Sequence, residues 1–268
     1  MSQTQKIIKY LAFAFALFLI VSIVSGVMYG FVFLGNVFHP IEENVALSNP
    51  VSINENTLCL DIDVSSSNIT IKVGDALSFQ TNNQYIYSEE ENNQFSIKEK
   101  KHNWFSKNQE LVIYIPKDVL FEEVEMKTGA GKIMIEQLST KKLSLDLGAG
   151  NISIKNLNVL ERTKIESGVG KLDIASGIIH NLDFDMGVGS VSISSQFVGD
   201  SKINSGIGKL YLCLFGTLED YEVTLDKGLG NATIQKEEMK NGSIYGTGTN
   251  RLEIDGGIGN IEIQLIEK

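Results

Sequence analysis

Apolar side chains recur at every second position through Leu143, Leu145 and Leu147, and again through Ile152 and Ile154. The two sets differ in parity and are separated by Gly148, Ala149 and Gly150. A period of two marks a strand with one buried face, and successive strand side chains point to opposite sides. To keep both sets inside, the chain must turn or slip by one residue at the glycines, where the missing side chain permits positive φ. The same switch separates Ile165 from Leu172 and Ile174, and Phe184 and Met186 from Val191 and Ile193. The pattern is an internal repeat. Its glycine pairs are Gly129 with Gly131, Gly148 with Gly150, Gly168 with Gly170, Gly187 with Gly189, Gly206 with Gly208, Gly228 with Gly230, and Gly257 with Gly259. They follow one another at intervals of 19, 20, 19, 19, 22 and 29 residues.

The residue between each glycine pair is apolar throughout (Ala130, Ala149, Val169, Val188, Ile207, Leu229, Ile258), which reads as a side chain turned into the core. A looser apolar position follows each pair of strands, at Leu138, Leu157, Ile178, Phe197 and Leu218. Three apolar faces in about 20 residues suit one coil of a β-solenoid, whose coils stack at the strand spacing of about 4.8 Å. The competing arrangement is an antiparallel meander with glycine hairpins; the Asn-Gly turns that favour such hairpins are absent from these corners. The last interval, with a further Gly-x-Gly at Gly246 and Gly248, indicates a longer loop or an irregular final coil. Alternation also precedes the glycines, at Leu58, Leu60, Ile62 and Val64 and in strands near 69–73, 77–81, 94–98 and 111–115. Residues 51–268 therefore read as one all-β domain, with irregular coils over 51–116 and the repeats over 117–268.

The N-terminal pattern is different. No charge falls between Tyr10 and Phe38, and about 20 mostly apolar residues suffice to span a bilayer as a helix. Residues 10–38 predict one transmembrane helix, with a cleaved signal peptide as the competing reading. Lys6 and Lys9 precede the span, whereas Glu42 and Glu43 follow it, so residues 1–9 are expected in the cytoplasm. Residues 39–50 hold two of the three prolines and read as a stalk. The expected location is the cell membrane, single-pass, with the C-terminal domain extracytoplasmic.

Beyond the span the chain carries 21 basic and 33 acidic residues, and its only arginines are Arg162 and Arg251. This balance argues against nucleic acid, which is bound by clustered Lys and Arg. The GAGK sequence at Gly129–Lys132 lacks the earlier glycine and the following Ser or Thr of a phosphate loop. Residues 256–264 begin like a calcium-binding nonapeptide but place Ile261 where that repeat requires Asp. No cofactor or metal site is expected. Asp146, Glu166, Asp185, Asp226 and Asp255, with Asn204 in the same register, should stack in a solvated column with Lys132, Lys171 and Lys209 as nearby amines; a ladder of divalent cations between the acids is the competing reading. Three distant histidines and acids set out by the repeat form no catalytic constellation. A polysaccharide lyase or hydrolase is the alternative that would need one.

The strongest candidate interaction surface lies in the stretch from Tyr87 to Gln109. There Lys98, Lys100, Lys101 and Lys107 surround Trp104 and Phe105, a basic-aromatic island on an acidic domain. Its competing reading is a hairpin loop that covers the solenoid's open end. Cys59 and Cys213 lie several coils apart on outward positions and are expected as free thiols.

One N-terminal span, a strand-rich lead-in ending in LVIYIPKDVLFEEVEMKTGAGKIMI, and repeated Gly-x-Gly-[Lys/Asn/Ser] units together resemble the bacterial putative-adhesin family. The resemblance covers roughly residues 51–268. It implies a β-helical, membrane-anchored cell-envelope domain, non-catalytic, adhesin-like or accessory to envelope-stress sensing. The partners it implies are the lipid bilayer and either a membrane signalling protein or a cell-wall glycan.

Overall fold

The computed structural model describes residues 46–100 and 109–267. The expected N-terminal arm, membrane helix and most of the stalk lie outside these residues, as do Lys101, Trp104, Phe105 and Lys107.

The repeat builds stacked coils. Met126, Leu145, Ile165, Phe184 and Ile203 stand in register on successive parallel strands, and all are buried. A second buried column runs on the other side of the glycines through Ile133, Ile152, Leu172, Val191 and Leu210. The change of parity across Gly-x-Gly therefore does what the pattern requires. Because neighbouring repeats pair in parallel, the chain is a β-solenoid and not a meander. Within the described residues, 20 strands join in one hydrogen-bonded sheet, and residues from Ala46 onward cluster as one compact unit.

Two contacts explain why the corner needs two glycines. A Cβ at Gly148 would overlap the carbonyl oxygen of Gly129 in the preceding coil. Gly170 combines a similar overlap, onto the Gly150 carbonyl, with φ +142°. The first glycine is needed for close backbone approach, and the second for conformation as well.

The coils do not stack in chain order at either end. The 59–73 coil lies between the 94–115 coil and the 121–135 coil. At the other end the 250–266 coil lies between the 200–215 coil and the 221–234 coil. The long final interval is thus neither a simple loop nor a final coil: the chain lays down the outer coil, then returns to fill the layer beneath it. Short antiparallel strands cover much of both ends. Ser78–Thr81 and Ile86–Glu91 pair with the strands of the 94–115 coil, while Glu237–Glu238 and Ile244–Tyr245 pair with those of the 221–234 coil. Such caps shield edges that would otherwise pair with another chain, and the exposed glutamates at 89–91 discourage that pairing further. Asn92 and Asn93, at φ 51° and 64°, make the tight turn of one capping hairpin.

Three expected inward positions are corrected. Leu58 is 43% exposed, just before its strand begins. Ile178 is half-buried because Ile179 occupies the core position in register with Phe197. Leu218 is exposed in the turn before the outer coil, where Tyr221 is buried instead. The Tyr221 hydroxyl donates to the Phe215 carbonyl (2.9 Å) and accepts from the Phe197 N–H (3.2 Å), so the ring enters the core with its polar end satisfied.

Candidate interaction surfaces

The Gly-x-Gly corner is an outward ridge. Its middle residues stack in register, yet none is buried, and Val169 and Leu229 are 39% and 66% exposed. This overturns the inward reading. The corner crosses over between the two buried columns, so the residue at its apex has the sheet behind it and solvent in front.

On one side of the ridge runs the expected acidic column, with Asp146, Glu166, Asp185, Asn204, Asp255 and Asp226 in register and Lys127 beside Asp146. Its charge is relieved locally. Lys164 pairs with Glu166 (2.6 Å), Asn204 donates to Asp185 (2.5 Å), and Lys202 reaches both Asp255 (3.0 Å) and Glu253 (3.1 Å). The Lys202 amine is held above its ordinary pKa by the hydrogen bonds to Asp255 and Glu253 and by their charges. The neutralising amines come from the same face, Lys164 two positions before Glu166 and Lys202 from the coil beside Glu253 and Asp255, and not from Lys132, Lys171 or Lys209. Those three lie past the ridge, on the next face. No cluster of three or more metal-ligating side chains occurs among the described residues.

Of the basic-aromatic island, the described part comprises Lys98 and Lys100. Lys98 lies 3.6 Å from Glu89 on the capping hairpin and 4.0 Å from Asp61 on the adjoining coil. Lys100 sits over the Tyr87 ring at 5.4 Å, a cation–π contact. Lys98 therefore joins the capping hairpin to the adjoining coil, and Lys100 holds the hairpin's two strands together. Glu99, between them, holds the same end together by accepting from the Ser65 and Ser66 N–H groups (2.6 and 3.0 Å), the Ser66 hydroxyl (2.7 Å) and the Asn83 amide (2.8 Å). Burial pushes its carboxyl upward, but the hydrogen bonds from Ser66, Asn83 and Ser65 prevail and set its pKa below the usual glutamate value.

A cleft of about 750 Å³ was not apparent from sequence. Arg162 and Arg251, the chain's only arginines, both line it, with Lys202, Asp183, Glu222 and Glu253. Arg251 lies 3.7 Å from Glu222. The pattern could not bring the arginines together, because Arg251 belongs to the coil inserted out of order.

Both cysteines are free thiols. Cys59 is half-buried, and burial with the nearby Glu123 and Glu122 charges raises its pKa. Cys213 is buried, unlike the expectation, with hydrogen-bond partners in Ser194 and Tyr211; burial raises its pKa too.

Residues 58–246 match Toastrack DUF4097, most of the solenoid just described. The chain belongs to the Toastrack DUF4097 family. Among solved structures, this Toastrack chain is similar to a putative cell adhesion protein from Clostridium sporogenes at 15% identity and TM-score 0.38, over 82% of this chain and 99% of that one. It is also similar to a putative adhesin from Bacteroides fragilis at 17% identity and TM-score 0.42, over 81% and 97% of the two chains. A putative adhesin from Parabacteroides merdae aligns at 8% identity and TM-score 0.27, over 82% and 97%. A search of curated proteins found no match. Among the described residues, no helix is long and apolar enough to cross a membrane.

Proposed function

We propose that this Toastrack protein is a membrane-anchored cell-envelope surface protein whose solenoid serves as a non-catalytic, adhesin-like contact module for wall glycan. The supporting observation is the register of outward side chains: acids, apolar residues and polar donors each form a continuous column on a stiff stacked scaffold. A surface that repeats at the coil spacing is suited to an extended partner that also repeats. In the Arg162 and Arg251 cleft the acids are accompanied by cations, an arrangement suited to polar recognition. The anchor is the uncharged 10–38 segment, with residues 1–9 in the cytoplasm and 51–268 outside.

The test uses the full chain in its own cells. It should stay with membranes through an alkaline carbonate wash, its solenoid should be digested by protease added to intact cells, and the detergent-solubilised chain should sediment with purified wall sacculi. Release by carbonate or protection from external protease would refute the topology. Failure to sediment with sacculi would refute the contact role.

A further inference from the structure

Past the ridge, the first outward position of the next face forms, from Asn68 to Asn231, a row with no carboxylate in it. Lys132, Asn151, Lys171, Ser190, Lys209, Asn260 and Asn231 stand in register on successive coils. Asn68 extends the row, accepting the Lys132 backbone N–H on its Oδ1 (2.9 Å), and beyond it the end coil places the exposed Glu110 in register, where the acid-free run stops. All but Ser190 are exposed, and Ser190 is half-buried. Every side chain in the row can donate a hydrogen bond. In a chain of net charge −10, a run of this length without an acid is the reverse of the composition around it.

The cations within the row are periodic. Lys132, Lys171 and Lys209 occupy alternate coils, so about 9.6 Å separates each from the next, with a neutral donor between at about 4.8 Å. None of the three has an ion-pair partner among the described residues. Beside them run Gly131, Gly150, Gly170, Gly189 and Gly208, so no side chain stands between the row and the apolar ridge.

We propose that this row is a binding track for a linear anionic glycan carrying one carboxylate per disaccharide. Successive rings of an extended glycan advance by about the coil spacing, so alternate rings meet lysines and the rings between meet Asn or Ser. The bare glycine strip admits the chain alongside, and the apolar ridge offers a surface for the sugar rings' apolar faces. The acidic column lies across the ridge, and on the row's own face the acids two residues further on are Asp173 and Glu262, beside Ser192 and Tyr211. The assignment rests on the glycan-contact reading above and makes it specific to one face.

The test measures binding of the full chain in detergent to three polymers: an alternating glucuronate and N-acetylglucosamine polymer, polygalacturonate with its carboxylate on every ring, and a neutral N-acetylglucosamine oligomer. The alternating polymer should bind best, and more weakly as salt rises. The triple variant Lys132→Gln, Lys171→Gln, Lys209→Gln should weaken it roughly 10-fold or more. Changing Lys117, Lys142 and Lys236 to Gln, which alters net charge equally, should leave binding within about 2-fold. Asn151→Asp with Ser190→Asp, which puts acids into the row at outward positions, should abolish it. Equal binding of all three polymers, or indifference to both row variants, overturns the proposal. If sacculi are still bound while the row variants have no effect, the glycan-contact role stands and the track falls.

Discussion

Ile207 stands in register with Ile258 and not with Leu229, although Leu229 is the next repeat along the chain. Ile258 in turn stands beside Leu229, so the C-terminal coil is sandwiched between two coils made before it. The outer coil has no parallel partner until the chain end is in place. Removing residues 250–268 should therefore unfold more than was removed. Amide hydrogen exchange on the truncated chain is expected to show protection lost across 221–234 and reduced across 207–215, with 138–174 still protected. Retained protection at 221–234 would mean that the outer coil can dock on the 200–215 coil directly.

The glycine ladder makes a sharper demand on single residues. Gly170→Ala places a Cβ against the Gly150 carbonyl at a φ that L-residues rarely adopt, and overpacking and backbone strain act together. The expected loss is roughly 2–5 kcal/mol in chemical denaturation. Lys171→Ala, one residue on and fully outward, should stay within about 0.5 kcal/mol. Equal effects at the two positions would show that the corner relaxes easily.

The parity switch at Leu147 and Ile152 was legible because a strand's buried face leaves a period-two imprint, and the close glycine intervals revealed stacking in parallel. Spatial order at the ends was not legible. Every coil presents the same faces above and below, so nothing in the pattern around Ile258 distinguishes a place beside Ile207 from a place beyond Leu229. The Arg162 and Arg251 cleft was hidden for the same reason. The lysine row was visible as a set of positions, but its lack of neutralising acids depended on which face each column occupies.

Val169 and Leu172 show how the ridge separates outward from inward apolar residues. Val169 is 39% exposed, whereas Leu172 is 1% exposed in the core column. Val169→Ser should cost less than about 1 kcal/mol, and Leu172→Ala roughly 2–5 kcal/mol through lost burial and the cavity it leaves. Urea midpoints of the two variants test this. A large loss at Val169 would return the apex residue to the core.

Glu99 links the N-terminal cap to pH. Its folded-state pKa is depressed, because the carboxylate accepts hydrogen bonds from Ser65, Ser66 and Asn83 that a protonated acid makes less well. A depressed acid contributes stability that is fully present above its unfolded pKa and disappears as pH falls through the folded value. The cap should accordingly hold at neutral pH and loosen below the ordinary glutamate range. Hydrogen exchange at Ser65, Ser66 and their neighbours, corrected for intrinsic rates, is expected to accelerate in acid for the natural chain. Glu99→Gln should exchange faster at neutral pH, because a neutral amide accepts more weakly than a carboxylate, and its residual acid sensitivity should be smaller. If the natural chain and Glu99→Gln respond to acid identically, the carboxylate is not what joins Ser65 and Ser66 to the capping coil.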